Sequence, residues 1–198
     1  MCGTERAEPW HTRRKSISVL EILINNKTRV KLLLRLFLNS ETNSYLRGLE
    51  AEFNNSSNAI RVELNRFEKA GLILSAVEGN RKVFRANREH PLYREINGII
   101  KKHLGLDSII ENVVKKIGHV LRAYIVGDMA MGIDRNMIEL ALIGNHIDRD
   151  YLVKCIRKAE KLIHRKILFF IVTEEQEKLY LGEKKGSLLI WDSGVIIN

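Results

Sequence analysis

The sequence predicts a two-domain protein of α+β or α/β class, and three patterns support this. The first half carries a helix-turn-helix pattern followed by a β-hairpin. Two apolar helical segments follow as a linker, and short apolar strands then surround one long helix, which is typical of a small mixed sheet. The predicted divisions are a flexible basic arm (1–15), a winged helix (16–90), a helical linker (91–118) and a mixed-sheet domain (119–198).

Composition and charge narrow the function classes. The 198 residues are 45% hydrophobic and 29% charged, values of an ordinary globular protein, so a disordered or collagen-like chain is excluded. The net charge is +9, and most of the excess lies in the first half. This favours a polyanionic partner, although such charge is also typical of an ordinary solvated surface.

Cysteine usage and hydropathy indicate the compartment. Cys2 and Cys155 show no metal-ligand spacing and are expected to be free thiols in a reducing environment. The longest apolar runs are far shorter than a membrane span, and the polar N-terminus lacks a signal-peptide core. We expect a cytoplasmic protein without a membrane partner.

Apolar residues at helical spacing predict the helices of the first domain. They recur over residues 16–26 and 28–38, and polar cap-forming residues then separate a short helix over 45–53 from a longer one over about 58–70. The longer helix turns Ile60, Leu64 and Phe67 inward. Its other side carries Ser57, Asn58, Arg61, Val62 and Asn65. Arginine and asparagine can read guanine and adenine in the major groove, but an ordinary amphipathic helix also has a solvated polar side.

A β-hairpin follows this helix directly and favours the reading of bases over an ordinary solvated helix side. Gly71 caps the helix, residues 72–77 and 81–86 predict two strands, and Glu78-Gly79-Asn80 predicts the turn. Val83 and Phe84 are available to pack, which leaves the cations free to reach phosphates beside the helix. The predicted DNA contacts outside the helix are Arg81, Lys82, Arg85 and Arg88 of the hairpin and Tyr45 and Arg47 of the short helix.

The run Asn58-Ala59-Ile60-Arg61 through Arg66-Phe67-Glu68-Lys69-Ala70-Gly71-Leu72, with the Gly79-Asn80-Arg81-Lys82 hairpin, resembles the ArsR-type winged-helix regulators. The resemblance implies binding to double-stranded DNA, usually as a homodimer on a two-fold operator. The metal-sensing members of that family use cysteine clusters. None occurs in this sequence and its histidines are scattered, so we expect no metal and no cofactor.

The linker and second domain follow from further apolar patterns. A helix begins near Pro91 and ends at Gly105, and a second apolar helix follows over 107–117; these helices either join the two halves or contact a second chain. Strands are predicted at 120–126, 137–143, 166–172 and 187–191, with helices at 150–164 and 174–181.

Two segments of the second domain, Gly127-Asp128-Met129-Ala130-Met131-Gly132 and Met137-Ile138-Glu139-Leu140, resemble the minimal nucleotidyltransferases of the DNA polymerase beta-like superfamily. The resemblance implies a loop that holds nucleotide phosphates and carboxylates that bind two magnesium ions. The positions of this degenerate site are Gly127, Asp128, Met131, Gly132, Met137 and Glu139.

The chemistry of that family is missing from these positions. Asp128 would repel phosphate, Met131 replaces an arginine, and Met137 replaces a metal-binding aspartate, although magnesium requires hard oxygen ligands. Only Glu139 remains, so two-metal catalysis is not expected. The leading hypothesis is a non-enzymatic DNA-binding transcriptional regulator whose second domain serves dimerisation, sensing of a small molecule or binding of a protein. The alternatives are an active nucleotidyltransferase with a winged-helix recognition arm, and a protein-interaction module.

Overall fold

A computed structural model describes residue 20, residues 23–182 and residues 186–194. The predicted arm and most of the first predicted helix lie outside these residues. In the first half, the helices and strands with described bounds are α1 (Lys27–Phe37), β1 (Ser44–Tyr45), α2 (Leu46–Phe53), α3 (Ser57–Lys69), β2 (Ile73–Glu78) and β3 (Arg81–Ala86).

Polar residues set the ends of these helices. The Asn26 side chain accepts a hydrogen bond from the backbone N–H of Arg29 and caps α1. Asn54 ends α2 in the left-handed region at φ 51°, and the Ser56 hydroxyl then accepts from the N–H of Ala59 to begin α3. The predicted turn between the two helices is confirmed, and α3 begins slightly earlier than the sequence pattern indicated.

The hairpin has the predicted strands and one unpredicted neighbour. β2 and β3 pair antiparallel around a turn in which Gly79 has a φ of 59°, a conformation that glycine adopts without strain. Ser44 and Tyr45 pair with Phe84 and Val83, giving the strand order β1-β3-β2. The sequence predicted a helix start at this point. The extended pair instead satisfies backbone groups on the other edge of β3, a long-range partner that helical periodicity does not encode.

The linker and second half follow the predicted order of elements apart from the short helix Gly127–Ala130 and a π-helical turn, which the sequence pattern did not predict. Their bounds are α4 (Tyr93–Leu104), α5 (Leu106–Ile109), a π-helical turn (Ile110–Val114), α6 (Lys115–Ile117), β4 (Arg122–Val126), α7 (Gly127–Ala130), β5 (Met137–Ile143), α8 (Arg149–Ile163), β6 (Lys166–Val172), α9 (Glu174–Gly182) and β7 (Leu188–Asp192). Gly105 ends α4 at φ 76°. A Cβ atom there would lie 2.6 Å from Cγ2 of Ile163, so glycine also permits the close approach of α8.

The second sheet has the strand order β6-β5-β4-β7 and is mixed, as the sequence predicted. β5 and β6 are parallel and are joined by α8, whereas the other neighbouring strands are antiparallel. The linker helices and α8 pack on one face. On the other face, Glu177 of α9 accepts hydrogen bonds from Arg122 and Tyr124 of β4.

The two halves share one continuous hydrophobic core, which includes Phe37 and Leu64 as well as Ile125 and Leu140. The linker side chains Ile100, Leu104, Ile109 and Val113 are almost fully buried within the chain. The sequence left open whether these helices join the two halves or contact a second chain. Their buried side chains join the two halves. Among the described residues, no helix is both long and apolar enough to cross a membrane.

Candidate nucleic-acid interface and the loop after β4

α3 separates an apolar side from a polar side as the sequence predicted. Ile60, Leu64 and Phe67 are buried. The solvent-exposed residues of the opposite side are Asn58, Arg61, Val62 and Asn65, and Ser57 at the helix start is half-buried. Arg61 takes part in none of the ion pairs among the described residues, so its guanidinium is available to a ligand.

A buried carboxylate fixes the orientation of α3. Glu63, whose side chain is only 3% exposed, forms ion pairs with Arg29 at 2.7 Å and with Arg66 at 2.6 Å, and it accepts a hydrogen bond from Asn26. The hydrogen bond from Arg29 is the main cause of a lowered pKa for Glu63. These contacts tie α3 to the start of α1. Sequence reasoning missed Glu63, although an acid among the inward positions of an amphipathic helix was a usable signal.

The hairpin cations differ in their availability. The Arg81 guanidinium lies 5.8 Å from the centre of the Tyr45 ring, so these two predicted contacts form one unit. Lys82 is bound to Glu68 of α3 at 2.8 Å, and Arg88 is paired with Glu41 and Ser40. Arg85 and Arg47 are exposed and outside the ion pairs of the described chain. Lys82 and Arg88 must therefore give up an acidic partner before they bind phosphate.

A second basic surface was missed in the sequence. Lys154, Arg157, Lys158 and Lys161 occupy successive turns along one side of α8, and all four are exposed. None of the four joins an ion pair within the described part of the chain. Their spacing of three and four residues was the available signal.

The loop after β4 combines a short helix with two tight glycines. Asp128 of α7 forms an ion pair with Arg135 at 2.6 Å. Gly127 has a φ of 70° and lies directly beside Glu139, since a Cβ atom there would be 2.6 Å from the carboxylate Oε1. Met131 lies against Gly186 on the far side of the loop. The loop therefore faces the single carboxylate of β5.

The residues at this sheet end do not fit a magnesium pair. Glu139 pairs across the sheet with Leu168 of β6 and with Val126 of β4, so both cross-strand neighbours of this carboxylate are hydrocarbon, and Met137, two residues before it, carries a thioether. Magnesium requires several hard oxygen ligands near octahedral positions. Asp134 is held by Arg165 instead; burial would raise its pKa, but this guanidinium outweighs burial and holds the pKa below its usual value. The described residues contain no group of three or more His, Cys, Asp or Glu arranged to hold a metal ion.

The first half closes one side of the loop. Gly132 has a φ of 79°, and a Cβ atom there would lie 2.5 Å from Cα of Arg35 in α1. The Asn39 side-chain amide donates to the carbonyl of Ala130 at 3.2 Å. The loop is thus in direct backbone contact with α1, which restricts access of a nucleotide from that side.

A largely buried ion pair lies at the same contact. Arg35 of α1 and Glu52 of α2 are 3.2 Å apart, with side chains 10% and 14% exposed. Arg35 Nη1 and Glu52 Oε1 are buried without a hydrogen-bond partner within the described chain. Burial raises the pKa of Glu52, and the nearby Asp128 adds to the increase. The contact between the halves is therefore polar as well as apolar.

No protein-family model matches the sequence, and no curated protein matches it. Three solved structures resemble about half of the chain. A protein from Archaeoglobus fulgidus has 17% identity and a TM-score of 0.35 over 47% of this chain and 97% of its own. A chain of the tri-AMPylated Shewanella oneidensis HEPN toxin in complex with MNT antitoxin has 14% identity and a TM-score of 0.35 over 47% and 74%.

The third structure is a candidate nucleotidyltransferase from Sulfolobus solfataricus. It has 16% identity and a TM-score of 0.31 over 48% of this chain and 85% of its own. Similarities of this size do not assign a fold family or a function to the chain.

Proposed function

We propose that the chain binds double-stranded DNA through a winged helix in its first half and acts as a transcriptional regulator. The observation that carries this proposal is the polar side of α3, where Asn58, Arg61 and Asn65 are exposed beside a cationic hairpin and Arg61 joins no ion pair within the described part of the chain. These side chains are of the types that read base edges, and the hairpin cations are suited to the flanking phosphates.

The second half, in this proposal, is a nucleotidyltransferase-like domain that does not transfer nucleotides. Three features support this part: one carboxylate on β5 and β6, an apolar neighbour at Leu168, and a loop pressed against α1. Incubation with magnesium and each labelled nucleoside triphosphate tests it. We expect no label on the protein or a co-substrate, and incorporation that Glu139→Ala abolishes would contradict this part.

Selection of bound sequences from a random duplex pool tests DNA binding. We expect a defined consensus, and a palindrome would additionally indicate a two-fold dimer. Binding should weaken with salt at a slope of about −0.9 per phosphate neutralised. If no sequence is enriched from the pool, the result would favour the alternative of a protein-interaction module.

Substitutions then assign the surface that reads the sequence. Arg61→Ala should abolish the preference for the selected consensus at that base, a loss of about 1 to 3 kcal/mol of discrimination. Lys178→Ala on α9 removes the same charge outside the proposed interface and is the matched control. If both variants kept the same preference, α3 would not be the reading helix.

A further inference from the structure

Among the described residues, no strand pairs with the outer edge of β6, and its composition is unusual for such an edge. β6 is the last strand of its sheet and reads Lys-Ile-Leu-Phe-Phe-Ile-Val. Leu168 and Ile171 are 49% and 38% exposed. Long apolar edge strands are normally covered or blunted, because their free backbone groups attract another strand.

The pairing with β5 shows which backbone groups face outward. The N–H of Lys166 donates to Asn136, and the carbonyl of Val172 accepts from Gly144. The backbone N–H and C=O groups of Lys166, Leu168, Phe170 and Val172 therefore face β5. The groups of Ile167, Phe169 and Ile171 therefore point to the open edge. Glu160 accepts the N–H of Ile167, and no hydrogen bond among the described residues occupies the groups of the other two.

The flanking helices leave this edge open from Phe169 onward, since Glu160 of α8 reaches only the N–H of Ile167. α9 crosses the sheet face, because Glu177 reaches Arg122 and Tyr124 on β4, two strands away. A cavity of about 630 Å³ is lined by Arg149 on one side of the sheet and by Tyr180 on the other, with Phe169 and Ile171 between them. The cavity therefore contacts side chains from both faces of β6.

We propose that a second copy of this chain pairs antiparallel with β6, with the two-fold axis at Phe169. In this register Ile167 lies opposite Ile171 of the other copy and Leu168 lies opposite Phe170, so apolar side chains meet on both faces. The N–H groups of Phe169 and Ile171 from each copy donate to the carbonyls of Phe169 and Ile167 in the other. The N–H of Ile167 keeps its bond to Glu160.

Charge complementarity at the strand ends favours a second copy over another partner. Lys166, with a side chain 80% exposed and 3.8 Å from Glu160, lies at the beginning of β6. At its end α9 begins with Glu174, which Arg122 binds, and the exposed Glu175. Antiparallel pairing places the beginning of one strand beside the end of the other. Lys166 of each copy therefore lies near Glu174 and Glu175 of the other copy, and the two-fold axis repeats this contact. The two joined sheets become one eight-stranded sheet.

The edge can be blocked without disturbing the pairing with β5. Because the N–H of Ile171 points outward, Ile171→Pro removes an edge donor and adds a ring at the interface. Ile171→Val keeps the N–H and is the matched control. By sedimentation equilibrium of the full chain, we expect a dimer for the wild type and for Ile171→Val. For Ile171→Pro we expect a dissociation constant at least about tenfold higher. An unchanged constant, or a monomeric wild type, would overturn the proposal.

Cross-linking gives a second readout that does not require the proline variant to fold. Opposed residues of a hydrogen-bonded antiparallel pair have Cα atoms about 5.5 Å apart, within disulfide range. In a Cys2→Ser background, Phe169→Cys should form a disulfide-linked dimer on mild oxidation, whereas Leu92→Cys, exposed beside α4, should not. The reverse result would overturn the proposal and place the dimer contact on the linker. The proposal is independent of DNA binding, since a dimer that binds no DNA would retract only the proposed function.

Discussion

Glu63 shows how much one side chain contributes to the presentation of α3. Its carboxylate is buried and bound by Arg29 and Arg66, and its loss leaves two guanidinium groups and the Asn26 amide without their partner. Glu63→Gln should lower the free energy of unfolding by about 2 kcal/mol, the range for a hydrogen bond to a charged group. Urea unfolding measures this, with the exposed Glu89→Gln as control. Equal stabilities of the two variants would contradict this role.

The same carboxylate makes stability depend on pH. Its pKa is lowered in the folded chain, so its contribution is fully present above the unfolded value of about 4.3 and is lost as pH falls through the folded value. As pH falls below 5, the free energy of unfolding should therefore decrease less steeply in Glu63→Gln than in the wild type. Unfolding at a series of pH values below 5 gives this comparison, and parallel curves would refute it.

Glu68 is expected to compete with DNA for Lys82. It accepts two hydrogen bonds from the Lys82 ammonium and a further one from Ser75, which lower its pKa. Glu68→Gln should release the cation, tighten binding to all duplexes alike and steepen the salt slope by up to about 0.9. Titration at several salt concentrations measures both. Glu95→Gln removes an acid from α4 and is the control; weaker binding by Glu68→Gln would show that the pair is needed to shape the hairpin.

Residue-level predictions from the sequence succeeded where they rested on periodicity. The exposure of Asn58, Arg61 and Asn65 follows from the 3.6-residue repeat that buries Ile60 and Leu64. Pairings such as Glu63 with Arg29 were not predictable. They join residues 34 positions apart, and their approach depends on how two helices cross.

At the scale of elements, the contact between the loop and α1 depends on one glycine. Gly132→Ala would place a Cβ atom against the backbone of α1 at a positive φ, so both the conformation and the contact are strained. The free energy of unfolding should fall by about 2 kcal/mol or more. Gly48→Ala in α2 meets nothing within 4 Å and should stabilise the helix by about 0.5 to 1 kcal/mol. Denaturant unfolding compares the two, and a neutral Gly132→Ala would refute the close contact.

Most of the order of strands and helices followed from the sequence, because those elements are specified by local patterns. β5 and β6 have the predicted bounds, since each is an apolar run between turn residues. β1 and the contact of Gly132 with α1 were not predicted, because both depend on partners distant in the chain. The same limit applied to the candidate site. Its residue types could be predicted from the sequence, whereas the contact of the loop after β4 with α1 could not.

At the scale of the whole molecule, the shared core has a thermodynamic consequence. Buried linker residues connect the two halves, and the Asn39 to Ala130 hydrogen bond and the Gly132 contact join them directly. Neither half can unfold without exposing apolar surface of the other. We therefore expect a single thermal transition whose calorimetric and van't Hoff enthalpies agree, measured under dilute conditions that favour the monomer. Gly132→Ala weakens the direct contact and should lower this single transition rather than split it, because the linker core remains. Two separate wild-type transitions would instead mean that the halves are independent, and the loop would then be free to open away from α1.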